Sequence, residues 1–196
     1  VFKPDVIKAI EALGHEIGYH YESLSDARGN TLRATQDFEQ KLKGFRNIVP
    51  VKTICMHGSP LTPYDNRDMW RNHASRKNVF DVYDILGEVY LDIDYSDIAY
   101  ITDTGRNWRP TEFNVRDMVD SGICPDLRDG YDLYSYFTSN PHPRSVFLVH
   151  PERWSNQILE HCLSFLFDTT ANIAKDIVRF TGQKQCRTLS RKAHKT

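Results

Sequence analysis

Five side chains in this 196-residue chain are of the types that bind metals or move protons, and each falls at the end of a short apolar run: His20 with Glu22, His57, Asp103 and His150. Imidazole and carboxylate groups ligate borderline divalent ions such as zinc, cobalt, manganese and iron. The same groups serve as general acids and bases. The densest stretch is Gly14-His15-Glu16-Ile17-Gly18-Tyr19-His20-Tyr21-Glu22. Along an extended segment successive side chains alternate faces, so His20 and Glu22 share one. His57 follows the run Val51 to Met56 and stands on a loop stiffened by Gly58 and Pro60. Asp103 follows Ile98 to Thr102, and His150 follows Ser145 to Val149. Pro151 holds His150 extended. Each has a plainer role open to it: a turn-shaping hydrogen bond for His57, or a bond from Asp103 to its own backbone ahead of Gly105. His15 lies at the start of its strand and reads as structural, while His73, His142, His161 and His194 lie away from strand ends.

The elements that must present these residues are read from periodicity. Val6, Ile7, Ile10 and Leu13 recur at helical spacing, with Pro4 suited to the first turn and Gly14 to the stop. Glu16 to Tyr21 follows as a strand, Ser23 to Asn30 as a loop, and Thr31 to Phe45 as a helix with Leu32, Phe38, Leu42 and Phe45 on its apolar stripe. Val51 to Met56 is a strand, and Leu61 to Lys77 reads as a long functional loop. Val79 to Leu86 is a short helix before a turn at Gly87; Leu133 to Phe137 and Ile158 to Phe180 are helical in period. Strands alternating with helices predict an α/β fold with a largely parallel sheet or barrel. In such a fold strand ends lie along one rim, which would bring the five residues to one mouth.

Lys and Arg number 25 against 26 Asp and Glu, so charge gives no reason to expect nucleic acid or an anionic membrane as partner. No membrane span or signal peptide is visible. Cys55, Cys124, Cys162 and Cys186 form no CxxC pair, which points to a reducing, cytoplasmic setting. HExxH, GxSxG, GxGxxG and P-loop motifs are absent from the sequence. Residues 1–180 read as one domain, and residues 181–196 as a basic disordered tail.

Tyr64, Arg106, Trp108, Arg153 and Trp154 flank the same strand ends. Flat aromatics beside hydrogen-bonding groups suit a sugar ring, with its apolar face and hydroxyl edge. The order of these pieces resembles the NodB-type polysaccharide deacetylases. Gly14 to His20 is similar to that family's second motif, Leu148-Val149-His150 to its Leu-x-His motif, and Asp103 to Trp108 to its Asp…Trp motif. Met56 to Tyr64 stands where the family has an Arg-Pro-Pro-Tyr loop.

The resemblance, spanning about Pro4 to Trp154, implies a distorted (β/α) barrel in which a divalent metal, zinc foremost, activates water against an N-acetyl carbohydrate. It implies His20 as a ligand and His150 as the acid for the departing amine; Asp103 is the other catalytic candidate. Four residues after His20, where the family has a second histidine, this chain has Leu24. His57, or else Glu22, takes that role. The family's opening Asp-Asp strand has no counterpart here, so the resemblance implies either one upstream of Val1 or a degenerate relative, and these 196 residues are expected to be inactive alone. A barrel without its first strands leaves edges that a second copy would cover. Two alternatives remain: a catalytically inactive, carbohydrate-binding relative, or a metal-dependent hydrolase of another amide or ester.

Overall fold

A computed structural model of the chain describes residues 2–58, 62–104, 108, 119–140, 144–151, 155 and 157–170. The chain divides into two compact units, Val1–Asp94 and Tyr95–Thr196.

In the first unit, helix α1 (Pro4–Ala12) carries proline in its first turn and ends ahead of Gly14, whose φ of +88° is the left-handed conformation glycine adopts cheaply. Strand β1 (Tyr19–Tyr21) buries both tyrosines and exposes His20 between them. A short helix α2 (Ser23–Asp26) follows, where a loop is expected from the polar composition. Its helical turn buries Ser23 and Leu24, and Arg28 and Gly29 leave it with positive φ. Helix α3 (Thr31–Arg46) is capped by the Asn30 side chain, which accepts from the Arg33 N–H at 3.0 Å. Ala34, Phe38 and Leu42, four residues apart, form its buried stripe.

Strand β2 (Thr53–Met56) pairs in parallel with β1, and β3 (Gly87–Glu88) pairs in parallel with β2 on the other side. Their common core face holds Tyr19, Tyr21, Ile54 and Met56, packed with Phe38, Trp70 and Phe80. Phe38 meets the rings of Tyr19, Tyr21, Trp70 and Tyr83, so it is the hub of this core. The stretch expected as one long loop contains a 3-10 turn (Asn66–Met69) capped by Asp65, and helix α4 (His73–Tyr83) begins within it. Arg76 anchors that region by donating to the Trp70 carbonyl and to Asp92. Asp92 ends the single-turn helix α5 (Val89–Asp92).

In the second unit β4 (Ala99–Thr102) pairs in parallel with β5 (Ser145–Leu148), Thr102 standing opposite Leu148. All four residues of β4 are buried, as expected of a parallel strand covered on both faces. Helix α6 (Gly130–Ser139) starts at Asp129, whose carboxylate accepts from the N–H groups of Tyr131 and Asp132. Leu133, Tyr136 and Phe137 pack against Ala99, Ile101 and Leu127. Residues 158–170 are helical, with Ile158, Leu159, Leu163 and Leu166 exposed. Every strand pair is thus parallel, and among the described residues the strands form two sheets, β1-β2-β3 and β4-β5.

Candidate functional site

The five residues gather in two clusters, one per unit. In the first unit, His20 stands opposite Cys55 in the β1–β2 register, on the face turned away from the core. Two residues on, Glu22 has left β1, and His57 has left β2. The His57 N–H donates to the Tyr21 carbonyl at 2.8 Å, prolonging the ladder by one step. This brings Glu22 to His57: its Oε2 lies 2.8 Å from Nδ1. The His20 Nδ1 lies 3.1 Å from the Cys55 carbonyl oxygen, and the two imidazole rings are 5.3 Å apart at 66°.

A carbonyl or carboxylate oxygen can only accept, so a hydrogen bond at either Nδ1 is donated by the ring. Metal-binding histidines are oriented in this way by outer partners. Glu22 stands as the partner of the His57 ring. Among the described residues no group of three His, Cys, Asp or Glu is gathered to hold an ion.

Three side chains that the sequence reading passes over fix the backbone here. Asn66, almost fully buried, donates from Nδ2 to the His57 carbonyl at 2.8 Å, and its Oδ1 accepts from the Ser25 N–H at 3.0 Å. It ties the segment after Glu22 to the segment carrying His57. Glu88, wholly buried, accepts from the Met56 N–H at 2.9 Å and from the Tyr90 N–H at 2.8 Å. Its side chain thus continues the edge of β2 after β3 has turned into α5. Burial raises the Glu88 carboxyl to about 7, although both N–H donors and Arg67 favour its charge. Asp65 carries a fork from Arg67, with N–O distances of 3.0 and 2.7 Å. Burial alone would raise the Asp65 carboxyl, but the Arg67 contacts outweigh it and hold it low. The signal for Asn66 and Asp65 is local: Asp followed by Asn and Arg after Pro-Tyr is turn-capping chemistry. A two-residue strand such as Gly87–Glu88 has no period to read.

Cys55 is not a nucleophile. Burial, reinforced by Glu88, pushes its thiol up to about 12, so it stays protonated at neutral pH.

In the second unit, Asp103 continues β4 and donates its N–H to the Leu148 carbonyl at 3.2 Å. Its carboxylate, nearly buried, grips His150 twice: Oδ2 accepts the backbone N–H at 2.9 Å, and Oδ1 meets the ring Nδ1 at 2.5 Å. This is the carboxylate–imidazole arrangement that fixes ring orientation and tautomer in acid–base histidines.

Of the residues expected to line a sugar site, Tyr64 lies over Gly29, where an added Cβ would fall 2.3 Å from the ring. Gly29 also has a φ of +81°, a conformation that glycine adopts at little cost. Trp108 stacks on Phe147 at 5.3 Å and 20°. Arg106, Arg153 and Trp154 lie outside the described residues. Cys124 and Cys162 are exposed and free. No helix among the described residues is long and apolar enough to cross a membrane. No protein-family model, curated protein or solved structure matches the chain.

Proposed function

We propose that this chain is a deacetylase of N-acetylated carbohydrate, of the NodB type, in which His150 is the proton carrier. The observation that carries this reading is the double grip of Asp103 on His150 across the β4–β5 pair. Amide hydrolysis needs a group that delivers a proton to the departing amine nitrogen, since an amide anion does not leave. With Nδ1–H committed to Asp103, the proton transferred is the one on Nε2. The Asp103 carboxylate then stands beside the ring while it carries its second proton, and it prevents the ring from turning away.

Within the first unit, His20 and His57 are the residues that would hold a divalent ion, zinc foremost, and the chemistry such an ion supplies is Lewis acidity. Trp108, stacked on Phe147, offers an aromatic face to a sugar ring. Free, exposed Cys124 and Cys162 suit a reducing setting such as the cytoplasm.

The test is acetate release from N-acetylated oligosaccharides, measured for the full-length wild-type protein and for its His150→Ala variant. Wild-type turnover that falls on the order of 10²-fold or more in the variant is expected, as general acid catalysis contributes that much. Turnover indifferent to His150 removes the reading.

A further inference from the structure

The helix over residues 158–170 turns its apolar side outward. Ile158, Leu159, Leu163, Leu166 and Phe167 are each between 58% and 84% exposed. Ser164 and Asp168, one turn apart, are the residues of this helix that are partly covered, and they mark its inward side. By helical spacing Leu159, Leu163 and Leu166 stand on the opposite side. A surface helix ordinarily does the reverse, with its apolar stripe toward the core. An exposed apolar patch of this extent marks an interaction surface.

The spacing of the patch fits another helix. Leu159, Leu163, Leu166 and Thr170 follow the alternating steps of four and three that make a heptad seam. In the sequence the same steps continue to Ile173 and Ile177, which lie outside the described residues. Each knob of such a seam needs a hole formed by four residues of a facing helix, and a second copy of the same seam supplies it. Thr170 suits a dry seam, because its hydroxyl donates to the Phe167 carbonyl at 2.8 Å and leaves the methyl group to pack.

Charge and area favour the same occupant. Glu160, His161 and Asp168 lie off the seam, so two copies meet without like charges opposed. Residues 157–170 contain no Lys or Arg, the residues that line the polar face of a helix lying on an anionic membrane. At roughly 100 Å² for each of the five exposed side chains, two copies would together remove about 1,000 Å² from water, the size at which specific interfaces begin.

We propose that this helix is a self-association surface, its Leu159–Leu163–Leu166–Thr170 seam packing against the same seam of a second copy of this chain, with Ile158 and Phe167 at the edges. Pairing through this helix is independent of the chemistry at His150.

The experiment is analytical ultracentrifugation of the full-length protein over a concentration series. Wild type is expected to dimerise reversibly. The double variant Leu163→Glu, Leu166→Glu is expected to be monomeric while keeping the near-ultraviolet circular dichroism of wild type. Thr170→Leu should lower the dissociation constant by about tenfold or more, since each copy adds apolar surface to the seam. That variant decides the matter alone if the double variant fails to fold. Wild type that stays monomeric at its highest soluble concentration overturns the proposal, as does a folded double variant that still dimerises. An unchanged dissociation constant for Thr170→Leu overturns it as well. Flotation with phosphatidylcholine–phosphatidylserine vesicles tests the other occupant: monomeric wild type that floats with them assigns the face to lipid and removes the dimer.

Discussion

The two units build the same device with opposite emphasis. Each sets a carboxylate just past the end of one parallel strand and a histidine just past the end of its neighbour: Glu22 with His57, and Asp103 with His150. In the second unit the carboxylate is short, buried to 8% side-chain exposure, and contacts both the ring and the backbone of its histidine. In the first, Glu22 and His57 are 35% and 47% exposed and share a single contact. The first unit does have a buried carboxylate, Glu88, but it bonds the Met56 N–H one residue before the histidine. Burying the partner itself gives a histidine of one orientation, suited to directing a proton. Burying a carboxylate beneath the histidine fixes the backbone and leaves the ring half exposed.

The largest expected effect tests the second-unit pair. Asp103→Asn keeps the size of the side chain but offers an N–H₂ group where His150 needs an acceptor, so the ring flips or changes tautomer. Loss of such a partner lowers turnover on the order of 10²-fold, up to the effect of losing the histidine itself. The check is kcat for acetate release, which should fall much further than KM changes. A drop of less than tenfold would mean that the buried pair only holds β4 to β5.

A second prediction concerns the buried carboxylate of the first unit. Glu88 has a carboxyl raised from its ordinary 4.5 to about 7 by burial. A raised value means the folded state binds the proton more tightly than the unfolded one. The resulting stability is fully present below pH 4.5 and is lost as pH rises through 7. The span corresponds to about 3 kcal/mol. The free-energy difference between wild type and Glu88→Gln, from urea unfolding, should therefore move against wild type by about that much between pH 4 and pH 8. A flat difference would show that the N–H groups of Met56 and Tyr90, with Arg67, compensate the charge fully.

How much of this was legible in the sequence follows from which forces leave a pattern. The alternation Tyr19-His20-Tyr21 reads directly as buried, exposed, buried, because a strand with one packed face imposes period two. Phe38 and Leu42 likewise mark the stripe of α3, whereas Leu32, expected on it, is exposed and Ala34 is buried in its place. The pairing of His57 with Glu22 follows from register once β1 and β2 are adjacent. Helix α2 and the start of α4 were not legible, because their polar composition is that of a loop. Tertiary contacts hold them instead: Leu24 buried in α2, and Arg76 bonded to Trp70 and Asp92 in α4. Glu88 was invisible for a related reason, since a lone Gly-Glu step carries no periodicity and its role depends on a strand 32 residues earlier. The contacts of the five residues fall into two sets, each within its own unit.

The smallest effect sharpens the comparison most. Replacing each carboxylate by alanine asks whether it is held by the fold or merely stands beside its histidine. Asp103→Ala leaves the His150 backbone N–H without its acceptor and a space in a nearly closed site, so a cost of about 1–3 kcal/mol in unfolding free energy is expected. Glu22→Ala removes one solvent-screened contact on an exposed rim, and its cost should stay below about 1 kcal/mol. Chemical denaturation of both variants at neutral pH gives the two numbers under one condition. If Glu22→Ala proves as damaging as Asp103→Ala, the first-unit carboxylate is a structural support of the β1–β2 ends. Its neighbour His57 would then be fixed twice over, by backbone and by side chain, and the contrast between a half-exposed ring and a locked proton carrier would not hold.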